Sequence, residues 1–120
     1  MRVVIDYADQ NESFRACLPV AGTVQHGLRE AKGPRTWWVI QLDSPLEYQL
    51  KVGEPFNFRL ITSSQLVIGA RVNGQDVGST APVPVHILLP LTPEATSGSD
   101  LRPEEFYGIA WGNCTRQDAA

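Results

Sequence analysis

The side chains with the most chemistry to offer in this 120-residue chain are two histidines, two cysteines and three tryptophans. His26 and His86 are of the one residue type that titrates near neutral pH without help. A metal centre needs three or four ligands converging on a point, and the chain has no His-x-His, Cys-x-x-Cys or His-Glu-x-x-His spacing. Cys17 and Cys114 lie in no local nucleophile motif, and Gly-x-Ser-x-Gly is missing. Glu104-Glu105 reads as the first turn of a short helix, where acids suit the positive end of the backbone dipole. Gly69, Gly74 and Gly78 do not have the spacing of a nucleotide loop. Neither a metal nor a cofactor is expected.

The pair Trp37-Trp38 says more. Neighbours on a strand point to opposite faces, so two adjacent indoles cannot share one core. Trp38 falls with Ile40 and Leu42. Trp37 falls with Val39, and Ile61, Val67 and Leu88 repeat the pattern on their own strands. Arg59, Arg71 and His86 share that second side by parity. This face is too apolar for plain solvent. Cover by the chain itself, by another sheet or by a second subunit would each account for it, and uncovered patches of this kind mark interaction sites.

The elements that must position these residues are strands. From Trp37 to Leu91 large apolar residues recur at alternate positions, the period of a half-buried strand. Leu46, Tyr48, Leu50 and Val52 alternate with Glu47, Gln49 and Lys51. Phe56, Phe58 and Leu60 are expected inside, as are Leu66, Ile68, Ala70 and Val72, then Val83, Val85, Ile87 and Leu89. Turns are expected at Asp43-Ser44-Pro45, Gly53-Glu54-Pro55 and Thr62–Gln65, and a tight hairpin at Asn73-Gly74 with Gln75–Val77 pairing back. Upstream, Val3, Ile5 and Tyr7 predict a first strand and Phe14–Leu18 a short second one. Thr23–Lys32 has a helix cap and helical spacing at Val24, Leu28 and Ala31, weakened by Gly27. Leu91–Pro103 reads as a surface loop, with Ser99 or Asp100 capping a helical turn, and Phe106–Trp111 as a closing strand.

These elements predict a mainly β fold: a small antiparallel barrel or sandwich of SH3-like or OB-like size, with at most one or two short helices. The stretch from Lys51 to Phe58 resembles the turn-then-strand entry of many such barrels, a feature shared by unrelated families. One domain is expected over residues 1–114, with 115–120 as a frayed tail. At this length a fold buries roughly two-thirds of the unfolded chain's surface, enough to dispense with metal or disulfide staples.

The net charge is −3, with ten Lys and Arg spread along the chain. A duplex-binding protein needs a positive field to displace counterions, so nucleic acid is not the expected partner. No segment approaches the ~20 apolar residues of a helical membrane span. The first residues lack the apolar stretch of about 7–15 residues used for export, so a cytoplasmic protein with free thiols is expected. The functional expectation is a non-enzymatic binding module, homodimeric through the second face, with Trp37, Val39, Arg59, Ile61, Arg71, His86 and Leu88 as its partner- or ligand-binding residues. Two alternatives differ in class. One is a small enzyme using His86 as acid or base in a barrel-mouth pocket with a small-molecule ligand. The other is single-strand nucleic-acid binding, with Trp37 and Tyr48 stacking bases beside Arg59 and Arg71.

Overall fold

The computed structural model describes residues 1–117 apart from 10, 11, 32, 34, 54–56 and 73, and describes 51–53 and 57 by their backbone. Six antiparallel strands follow one another around a closed barrel: β1 (Arg2–Ala8), β2 (Val20–Arg29), β3 (Thr36–Gly53), β4 (Asn57–Ala70), β5 (Val83–Pro90) and β6 (Phe106–Arg116). β1 and β6 join the two ends of the chain, with Ile5 opposite Cys114 and Ala8 opposite Gly112. The expected mainly β barrel is therefore the fold. Among the described residues no helix is long and apolar enough to cross a membrane.

Alternation drives this arrangement. Val3 and Ile5 of β1, Ile40 and Leu42 of β3, Leu66 and Ile68 of β4, and Val85 and Ile87 of β5 point into one core. Each such side chain, fully buried, contributes roughly 1.5–3 kcal/mol. Trp38 is half-buried and packs against the edge of that core.

Several local expectations are corrected. Thr23–Lys32 is not a helix, because residues 20–29 form β2 and pair with both β1 and β3. Val24 and Leu28 keep helical spacing yet face different clusters, since a register shift between Val24 and His26 turns the strand over. Phe14–Leu18 is not a strand. Glu12–Arg15 forms one helical turn, α1, which buries Phe14 completely. Neither Asp43–Pro45 nor Thr62–Gln65 ends a strand. β3 and β4 run through both, and Leu42–Pro45 bulge opposite Ser64, between the pairs Gln41↔Gln65 and Leu46↔Ser63.

That irregularity has a consequence for the core. The Ser63 hydroxyl donates to the Gln65 carbonyl at 2.7 Å and accepts from its N–H at 3.1 Å, which kinks β4. Inward parity in β4 changes across the kink. Ile61 pairs with Tyr48 and is 7% exposed, whereas Phe58 and Leu60 are 55% and 59% exposed. Phe58 and Leu60 are therefore surface residues, contrary to expectation, and so is Val72, which lies past the end of β4 at Ala70. Phe56 and the turn at Gly53-Glu54-Pro55 lie, in whole or in part, outside the described residues.

Gly74 has the positive φ expected of it, +87°, a conformation that costs a side-chain-bearing residue dearly; Asn73 lies outside the described residues. Gln75–Val77 does not pair back as a strand. Asp76 instead accepts the Gly78 N–H at 2.8 Å, and Val77 is buried in the main core. Leu91–Pro103 is more than a surface loop. It carries a 3-10 turn at Pro93–Thr96, and Ala95, Thr96 and Leu101 are buried. A second 3-10 turn, Pro103–Glu105, follows Arg102 and has no side-chain cap. Thr115 and Arg116, placed by the sequence in the tail, pair with Val4 and Val3.

Candidate functional site

The outer face around Trp37 is built on one register row. Leu28, Trp37, Gly69, His86 and Trp111 lie side by side on β2 to β6. Gly69 makes the row possible. A Cβ at that position would stand 2.6 Å from the Trp37 ring, so only glycine lets the indole lie across β4. The Trp37 ring thereby comes within 5.7 Å of His86, centroid to centroid. On its other side His86 stacks on Trp111 at 4.2 Å with the planes 15° apart. Arg35 caps the Trp37 end at 5.2 Å, and Arg71 caps the Trp111 end at 5.1 Å. The Trp37 indole N–H donates to Glu30 at 2.9 Å, which fixes the ring's orientation.

The adjoining row is apolar. Val39, Val67 and Leu88 pair across β3, β4 and β5. With Leu28, Trp37 and Leu101 they form a second buried cluster, against which Phe106 packs. The cover comes from residues 91–105, and β2 holds it where β2 has run past β1. Arg29 donates its N–H to Ser99 at 2.8 Å and accepts from Leu101 at 2.9 Å. His26 Nε2 lies 2.9 Å from the Thr96 carbonyl. The Thr96 hydroxyl donates to Gln65 at 2.5 Å.

Of the residues singled out in the sequence, Trp37, Val39, Leu88 and His86 do come together, and Arg71 joins them through Trp111. Trp37, Val39 and Leu88 are 4%, 0% and 8% exposed, so the chain's own strap covers what the sequence offers as a contact surface. Ile61 belongs to the main core rather than to this face. Arg59 is exposed on β4 opposite Leu50, away from the row. Trp37 and Tyr48 are both buried, so they do not present rings on which bases could stack. Sequence reasoning missed Trp111 and Arg35. Only the closure of β6 onto β5 sets Trp111 opposite His86, and no local signal carries that pairing.

His86 is half-buried in this row. Burial, followed by the positive charge of Arg35, pushes its imidazole below the ordinary histidine range. One ring face stacks on Trp111, and Trp37 meets the ring at a tilt of 58°. Among the described residues no three of His, Cys, Asp and Glu gather as metal ligands. Cys17 and Cys114 are unbridged. Burial, with Asp6 adding to it, raises the Cys114 thiol to about 12, and burial raises Cys17 as well. The row is an aromatic run with a guanidinium at each end. Comparison with protein-family models, curated proteins and solved structures finds no match to this chain.

Proposed function

We propose that the protein is a non-enzymatic binding module that self-associates through the arm formed by residues 43–53 of β3 and 57–66 of β4. One observation carries this reading. Phe58 and Leu60 are more than half exposed on the outer side of the arm, while its inner side is filled by Leu46, Tyr48, Leu50 and Ile61. Over most of this length each strand pairs only with the other, since β2 leaves β3 at Leu42 and β5 leaves β4 at Val67. A closed barrel has no edges; this arm restores two. Such edges accept another strand through their backbone groups. A second copy suits an edge of this kind, because a two-fold contact needs only one self-complementary surface.

Burying Phe58 and Leu60 would contribute roughly 1.5–3 kcal/mol per side chain, counted on both subunits. Association costs about 4–15 kcal/mol, so backbone pairing along the edge must supply part of the balance. The expectation is a dimer at about micromolar concentration, −8 kcal/mol on the usual scale. Sedimentation equilibrium tests it. Phe58→Glu combined with Leu60→Glu should give a folded monomer, and a wild type that is monomeric throughout that range removes the reading. The two free thiols support a reducing compartment, the cytoplasm.

A further inference from the structure

We infer that two copies of the chain meet along the free edge of β4, antiparallel about a two-fold axis at Leu60, so that Phe58 of each enters a notch on the other. The inference rests on the self-association proposed above and adds the edge, the register and the receiving site. The two edges of the arm differ. The β3 edge carries Pro45, which has no N–H to donate, in an irregular stretch of the β3–β4 ladder. The Cys17 thiol approaches the Glu47 carbonyl there at 3.8 Å. Proline and bulges are devices that blunt an edge. The outward side chains of that strand, Glu47 and Gln49, are polar. Residues 57–62 of β4 contain no proline and one charge, Arg59. They pair only with β3, and they carry the exposed Phe58 and Leu60.

The register follows from the side chains and from the space beside the edge. An axis at Arg59 would set two guanidinium groups opposite each other, and like charges directly opposite destabilise a pair. An axis at Ile61 would carry the pairing into the kink at Ser63–Gln65. An axis at Leu60 sets Arg59 against the partner's Ile61 and Phe58 against the partner's Thr62. Thr62 lines a notch of about 120 Å³ between Ile61–Gln65 and Pro90–Pro93. It opens where β5 has left β4, their last pair being Val67 with Leu88. An apolar space of about 150 Å³ accepts a benzene ring, so this notch takes most of a phenylalanine ring. Phe58 cannot fill the notch of its own chain, because four strand residues, roughly 13 Å, separate it from Thr62. A second copy supplies the ring that one copy cannot.

The first test is amide hydrogen exchange of the wild-type chain, below and above the dissociation constant found by sedimentation. Edge-facing amides in residues 57–62 should exchange at least about tenfold more slowly in the dimer, while those of 47–51 keep one rate. The second is cross-linking in a Cys17→Ser background, where Cys114 stays buried. Leu60→Cys should form a covalent dimer on mild oxidation, because directly opposite residues have Cα atoms about 4.5–5.5 Å apart, within disulfide reach. Phe58→Cys and Thr62→Cys, both at exposed positions, should cross-link when mixed and far less when alone. A dimer whose 47–51 amides slow while those of 57–62 do not would overturn the inference and leave self-association standing. So would cross-linking through Gln49→Cys in place of Leu60→Cys. A wild type that is monomeric throughout removes both.

Discussion

His86 is where opposing effects meet on one side chain. An indole face attracts a cation, and that of Trp111 lies against His86. Burial and the Arg35 charge act the other way, and the direction is downward from the ordinary value of about 6.5. The unfolded chain therefore takes up a proton at a higher pH than the folded one. Stability from this group is complete above about pH 6.5 and declines as the pH falls from there through the folded pKa. The His86 ring-proton resonance should titrate with a midpoint below 6.5 and move upward in Arg35→Gln, where one cause of the depression is gone. A midpoint at or above 6.5 in the wild type would contradict the packing described for this ring. The sequence marks Trp37, Val39 and Leu88 as residues on the wrong side of their strands, because period-two parity is local. It does not show that Gly69 is there to admit an indole, nor that Trp111 is the other half of the stack. Those are relations between strands.

Both long hairpin strands teach the same lesson about parity. Leu46, Tyr48 and Leu50 continue the inward phase of Ile40 and Leu42, because the bulge at Leu42–Pro45 preserves it. In β4 the kink at Ser63–Gln65 shifts the phase, and Ile61 takes the place expected for Leu60. The energetic contrast is testable by urea denaturation. Ile61→Ala should destabilise by about 2–5 kcal/mol, the cost of a buried large-to-small change. Phe58→Ala should cost under ~1 kcal/mol in the monomer, as for most exposed positions. If Phe58→Ala is the more damaging of the two, the register of the arm is wrong. The strap shows the reverse case. Residues 91–105 look like a loop because their apolar residues are few, yet Leu101 and Ala95 bury completely or nearly so once β2 offers an edge to hold them.

The whole molecule depends on joining its ends. Val3 and Ile5 are buried because β6 returns to pair with β1, bringing Cys114 opposite Ile5. A chain ended at Trp111 loses the described β1–β6 pairs and opens the main core to water. It should show no cooperative urea transition and no near-ultraviolet circular dichroism, and a midpoint like the wild type's would refute the closure. The sequence by itself determined that the protein is a β structure with one main core and a second apolar face. It also placed most strands and required a positive φ at Gly74, since alternation and turn chemistry depend on neighbours only a few residues apart. The tertiary structure alone decided that the strands close into a ring and that β2 is a strand despite its helical spacing. It decided too that the second face is covered by the chain's own strap. Each of these rests on groups distant in sequence being brought together, and a local pattern carries no information about which distant groups will meet.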